Sequence, residues 1–332
     1  QDAVIAEHCP QIWPGPAGGR LGQHPPIVTT LPMPFRGHVR ERQWERISHG
    51  LYAPARARTL ADELRAWELV LPATAAFTHL TAAELSGWWL PAPIQHPIFA
   101  AMRDGIPRPR RTGLLVCRHT KPVPSDWFKG VRLTAPAETI LAAARDLGIL
   151  DLVILADSAL RVGHLTLTDL QIAANRHRRG APLLRRVIPM LDPRSESPWE
   201  SIMRVLHRAA DIPVLVQEEI YNEFGQFLGR ADLRIKGTRR LQEYDGAGHR
   251  DEDVHANDLA RDRALLAGSW QRHGYVSKDL LHGGAQIIAD VDRTLRRDWD
   301  SRRLAAWQHL VKHSLYGRPG RARAYQHWLR AT

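Results

Sequence analysis

Cysteine is nearly absent from this sequence, with only Cys9 and Cys117 in 332 residues. Far apart and without a C-x-x-C partner, they exclude a disulfide framework and a thiolate zinc site. They predict reduced thiols in a cytoplasmic protein. Also missing is any apolar run near the roughly 18 residues of a membrane span. The opening segment QDAVIAEHCPQIW has neither the basic stretch nor the continuous apolar stretch of a secretion signal, so no membrane partner is expected. The 17 His include no H-E-x-x-H and no paired Cys/His spacing, which excludes the common zinc motifs. Acidic residues are in deficit, 35 against 46 Lys and Arg, giving a formal charge of +11. A cationic surface gains by displacing counterions from a polyphosphate, so DNA is the expected partner. The excess is concentrated: eight Lys/Arg against two Asp between Arg103 and Arg132, and ten against four from Gly283 to Thr332.

What is present supports a core, since 44% of residues are hydrophobic and the length suggests about two domains. Residues 1–56 read as a Pro- and Gly-rich lead-in followed by a wing-like hairpin, a degenerate winged helix, in which QWERISHGLYAP turns at Ser48-His49-Gly50. Residues 57–190 read as a mainly helical basic domain. Helices are predicted over Thr59 to Val70, over Leu80 to Leu90 with Thr81 as N-cap, over Thr134 to Leu147 and over Leu150 to Leu160, with a further one beginning at Thr166 or Thr168. One short buried strand is predicted at Leu114 to Val116. The prolines of LDPRSESP mark a boundary. Residues 195–282 then carry a different pattern: a helix over Trp199 to Ala210, strands over Val214 to Tyr221, Phe227 to Ile235 and Arg240 to Tyr244, a helix over Asn257 to Leu266, and a strand opening at Gly274. That order predicts an α/β fold, a mixed sheet flanked by helices. Residues 283–332 read as a basic helical extension.

The chemistry-bearing residues lie in the third segment. Residues two apart on a strand share a face, so Glu243 and Asp245 of LQEYDG project together. Paired carboxylates repel unless a cation intervenes, and all-oxygen ligands suit Mg²⁺ or Mn²⁺. Asp232 of GRADLRI joins them if the two strands are neighbours, and Gly246 leaves room for a phosphate. Such a cluster fits phosphodiester hydrolysis. Glu200 on the preceding helix is a fourth candidate acid, and His249 a candidate proton donor or general base. The same carboxylates also fit a plain surface strand neutralised by Arg230, Arg234, Arg239 or Arg240.

SPWESIMRVLHRA, GRADLRI, LQEYDGAGHR and NDLARDRALL, followed by GY, together resemble the very-short-patch-repair-like endonuclease domain of the PD-(D/E)xK superfamily. The resemblance implies a restriction-endonuclease-like fold and Mg²⁺-dependent cleavage of DNA in repair or defence. Under it Glu200 is the helical acid, Asp232, Glu243 and Asp245 hold the metal, His249 follows the glycine, and Asp258 with Arg261 form a supporting pair. Asp245 stands where the wider superfamily often has lysine, which leaves the general base unassigned. Upstream, FTHLTAAELSGWWLP, LTAPAETIL and DSALRVGHLTLTDL resemble the middle domain of proteins that pair an AbiEi-antitoxin-like N-terminus with this nuclease; Glu138 departs from that pattern, in which arginine is commoner. The rival expectation is a non-catalytic DNA-binding regulator on the same fold. Candidate phosphate contacts are Arg108, Arg110 and Arg111, then Arg178 and Arg179 within the cluster that also holds Arg176, Arg185 and Arg186, and finally Arg240 and Arg250 beside the acidic motif. Trp307 and Trp328, in the basic C-terminal stretch, are candidate base-stacking residues.

Overall fold

The computed structural model describes residues 34–37, 44–55, 59–246 and 261–331. The chain is mixed α/β; among the described residues there are three sheets, with helices packed against them. Among the described residues no helix is long and apolar enough to cross a membrane.

The first sheet holds the expected hairpin. Strands β2 (Trp44–Ser48) and β3 (Leu51–Pro54) pair antiparallel through a turn at which Gly50 takes φ +62°, and β1 (Phe35–Arg36) adds to the other side of β3. Helix α1 (Leu60–Glu68) follows, opened by a reciprocal cap in which Thr59 N–H donates to Asp62 and Asp62 N–H donates to the Thr59 hydroxyl at 3.2 Å.

A five-stranded sheet then forms the centre of the N-terminal half. Its strands are β4 (Ala76–Phe77), β5 (Ile98–Arg103), β6 (Leu114–His119), β7 (Ser125–Phe128) and β8 (Val131–Thr134), in the order β6-β5-β4-β8-β7. Only the strand at Leu114 to Val116 is expected from the sequence, because β5 (IFAAMR) is buried along nearly its whole length and shows no alternation. Helices α2 (His79–Leu85), α3 (Pro136–Ala143), α4 (Ile149–Arg161), α5 (Leu167–Ala174) and α6 (Ala181–Val187) complete this half. Thr166 caps α5 as expected. Thr81 does not cap α2: the helix opens after Thr78, and Thr81 lies buried inside it, its hydroxyl accepting the Phe99 N–H of β5 at 2.9 Å.

The third sheet follows helix α7 (Pro198–Ala209). It comprises β9 (Val214–Tyr221), β10 (Phe227–Ile235), β11 (Arg240–Tyr244) and β12 (Gln271–Tyr275), with residues 261–267 forming α8 before β12. Its order is β12-β11-β10-β9, antiparallel except for the parallel β11–β12 pair. The first three strands match the expected bounds, while β12 begins three residues earlier than Gly274. Helices α9 (Ser277–His282), α10 (Gly284–Thr294), α11 (Leu304–Lys312) and α12 (Arg318–Ala331) end the chain.

The two larger sheets share a core: one apolar cluster runs from Leu80 and Phe99 through α4 and α7 to Leu233, Ile288 and Trp328. A second cluster packs Leu51 and Ala53 of the hairpin and Leu64 and Trp67 of α1 against the other face of the five-stranded sheet, and a third gathers Ile220, Ala231, Leu241 and Leu265. The seam between α4 and α7 contains a fully buried ion pair, Asp157–Arg204, with the Ser201 hydroxyl donating to Asp157 at 2.6 Å and Arg204 also donating to the Met190 carbonyl. The final helix returns to the first half. Trp328 is buried with its ring 5.7 Å from that of Phe99 and its indole N–H on Asp146 at 3.2 Å, and Trp307 is buried in the same core. Neither tryptophan offers a face for base stacking, which corrects the expectation drawn from their basic surroundings.

Candidate metal and nucleic-acid site

Glu200 is placed by the start of α7. Ser197 caps that helix by accepting the Glu200 N–H at 3.2 Å, and Pro198 supplies a pre-set φ in the first turn. The Glu200 side chain turns back, accepting the Glu196 N–H at 2.7 Å and the Gln217 amide at 2.8 Å through one oxygen, Oε2. Gln217 sits on β9 with φ +53°, a left-handed conformation inside a strand that costs on the order of 1 kcal/mol or more. No periodicity in the sequence signals it.

Asp232 lies on β10, one residue before the register pair Leu233–Gln242. Its Oδ2 accepts the Tyr244 N–H at 2.8 Å, replacing a backbone acceptor in the ladder and drawing the carboxylate toward the end of β11. Burial, then the neighbouring Glu200 carboxylate and more weakly Glu243, push Asp232 up to about 7, although the Tyr244 N–H and Arg261 favour its charged form. Glu200 and Glu243 are both buried. Glu200 of α7 and Glu243 of β11 are therefore near enough to Asp232 of β10 for their charges to bear on it.

Glu243 is held by two arginines: Arg261 of α8 at 2.6 Å and Arg272 of β12 at 2.6 Å. Arg272 also reaches Asp245 at 2.5 Å, so Glu243 and Asp245 do share a side of the chain, with one guanidinium spanning them. The arginines expected as their partners are elsewhere: Arg230 pairs with Glu196, and Arg234 with Glu218. Among the described residues no group of three His, Cys, Asp or Glu stands ready as an ion cage. His249, Arg250 and Asp258 lie outside the described residues.

Two glycines make room for this arrangement. A Cβ on Gly229 would lie 2.6 Å from Arg261 Nε, and one on Gly274 would lie 1.8 Å from Asp245 Oδ2. Gly274 stands opposite Glu243 in the parallel register. Gly274→Ala must therefore displace the Asp245 carboxylate while leaving an ordinary strand residue in place. We expect that variant to fold with a melting temperature within a few degrees of the parent, as measured by differential scanning fluorimetry, while losing the Arg272–Asp245 ion pair.

The expected phosphate contacts separate into groups. Arg110 and Arg111 line a cleft of about 790 Å³ together with Arg36 and Arg46 of the hairpin sheet, and Arg111 donates to the His49 carbonyl. Among the described residues no acid lines this cleft, and Arg108 is exposed nearby in sequence. Arg178 and Arg179 line another cleft, described below. Arg240 belongs to neither. It is buried, bonding Asp290 O, Thr294 Oγ1 and the Tyr275 hydroxyl at 3.0 to 3.2 Å, so a phosphate cannot reach it. Placed just before the acids in sequence, it braces β11 against α10.

No protein-family model, no characterised protein and no solved structure matches this chain.

Proposed function

We propose that the protein is a metal-dependent endonuclease acting on DNA, with its reaction centre at Glu200, Asp232, Glu243 and Asp245. The observation that carries this reading is that Glu200 of α7 and Glu243 of β11, both buried, act on Asp232 of β10, which is pushed up to about 7. Gathering carboxylates in a desolvated place costs stability, and strained electrostatics of this kind concentrate at working sites. Further support comes from the order α7, β9, β10, β11, α8, β12 with its single parallel pair, which agrees with a restriction-endonuclease-like sheet, and from the basic clefts on the same chain.

The donor set fits a hard divalent cation in its chemistry, since all of its donors are carboxylate oxygens. Asp232, Glu243 and Asp245 would hold Mg²⁺ or Mn²⁺, which supplies polarisation of a phosphoryl oxygen and a more acidic bound water. Glu200 is itself held beside Asp232 by the Glu196 N–H and the Gln217 amide. Arg261 and Arg272 keep the Glu243 and Asp245 carboxylates aligned and neutralised. Those same ion pairs favour a second reading, a DNA-binding regulator in which arginines have taken the cation's place permanently. Titrating the protein with Mg²⁺ or Mn²⁺ over plasmid, single-stranded and mismatched DNA separates the two. Cleavage that appears with metal and disappears with chelator supports the enzyme, whereas binding without cleavage under either metal supports the regulator.

The raised Asp232 sets a pH dependence. Asp232 must be ionised to take a cation, so at limiting metal the cleavage rate rises up to about tenfold per pH unit below about 7 and flattens above it. Metal-free stability runs in the opposite sense. The folded value exceeds the ordinary 3.8, so the folded state holds a proton that the unfolded chain releases. The Asp232 contribution to stability is present at low pH and lost as pH rises through about 7. A melting-temperature series from pH 5 to 8 in chelator is expected to slope downward, and Asp232→Asn to flatten that slope.

A further inference from the structure

A second cationic feature lies away from the acids, where α3, the α5–α6 connection, α11 and α12 come together. A cleft of about 970 Å³ there is lined by Arg145, Arg176, Arg178, Arg179 and Arg185, with His177 and His327. A smaller one of about 380 Å³ adds Arg186, Arg323, His309 and His313. The two share Ala144, Arg145, Asp146 and Leu183, so they form one continuous trough. Seven arginines line it against one aspartate, Asp146. That aspartate is buried and already engaged by His79 at 3.2 Å, His327 at 2.9 Å and the Trp328 indole at 3.2 Å. Glu138, buried behind the wall, holds Arg176 and Arg178. Arg145, Arg179 and Arg186 are exposed and pair with no carboxylate among the described residues.

Like charges gathered this closely repel, and the fold keeps them together through buried anchors rather than through surface partners. From this geometry we infer that the trough is a track for the sugar-phosphate backbone of duplex DNA, separate from the acidic centre. Among the described residues its lining contains no Phe, Tyr or Trp, which favours a duplex over unpaired bases that would stack on such rings. Guanidiniums without base-reading partners hold phosphates irrespective of sequence. This inference rests on the proposed function only in taking DNA as the partner; it does not require cleavage.

The test is binding of the full chain to a labelled duplex in chelator, followed by fluorescence anisotropy across a salt series. The triple variant Arg145→Ala, Arg179→Ala, Arg186→Ala is expected to flatten the dependence of log affinity on log salt by about two to three units of slope, since each lost phosphate contact removes roughly 0.9. The loss should be equal for duplexes of unrelated sequence. A control of the same net charge, Arg103→Ala, Lys121→Ala, Lys278→Ala, is expected to change the slope by less than one. The inference is overturned if the triple variant, folded by circular dichroism, keeps the parental slope, if the control matches it, or if single-stranded DNA binds more tightly than duplex. Because metal is absent throughout, a protein that never cuts DNA can still pass this test, and one that cuts can still fail it.

Discussion

Asp232→Ala is expected to lower metal-dependent DNA cleavage by about a thousandfold, while DNA affinity in chelator stays the same or rises. Losing a carboxylate that positions a catalytic cation removes several kcal/mol of transition-state stabilisation, and about 4 kcal/mol corresponds to a thousandfold at roughly 1.4 kcal/mol per decade. Affinity is spared because the residue contributes negative charge toward a polyanion. A second signature separates this from simple damage. Asp232 is desolvated beside Glu200 and Glu243, so its removal relieves repulsion, and the metal-free variant should melt at a higher temperature than the parent at pH 8. Activity down with stability up identifies a functional acid. Parental cleavage by the variant would show that the three-acid centre is not where hydrolysis occurs.

Arg204→Ala should have the largest effect on the fold, destabilising it by about 3 to 5 kcal/mol, the usual cost of leaving a buried charge without its partner. Both Arg204 and Asp157 are 0% exposed, and the guanidinium also serves the Met190 carbonyl. Urea unfolding read by tryptophan fluorescence measures the loss. Arg204→Met combined with Asp157→Leu should recover much of it, because an apolar pair of similar volume needs no desolvation of charge. Because the pair lies on the seam between α4 and α7, inside the cluster that joins the two larger sheets, those two parts should unfold together. A loss below about 1 kcal/mol for Arg204→Ala would mean that water reaches Asp157 once the guanidinium is gone.

Much of the C-terminal sheet is legible in the sequence, for a physical reason. FLGRADLRI alternates between buried and half-buried positions from Ala231 to Ile235, the period of a strand, and short β-rich runs bounded by turn residues mark β9 and β11, although RLQEY is buried at four of its five positions. The five-stranded sheet is hidden because its central strands are covered on both sides and its β4 strand is only two residues long. At the acidic centre, the sequence indicates the carboxylates but not what holds them. Gln217 reaches Glu200 only because of its left-handed backbone, and Arg272 meets Glu243 and Asp245 only because β12 runs parallel to β11. Gly229 and Gly274 were the available signals, since a glycine inside a strand often marks a close approach by another group. Glu138, a departure from the resembled family's pattern, acquires a reason from its grip on Arg176 and Arg178.

The return of α12 to the first half has a consequence for biosynthesis. Asp146 and Trp328 are 182 positions apart, and the Phe99 ring is covered by that same tryptophan. A ribosome-bound chain that has already emerged through α6 would still expose this apolar surface and leave the Asp146 carboxylate without its indole partner. The N-terminal half therefore matures only once α12 has been made, and chains that stall before residue 318 should be captured by chaperones or degraded.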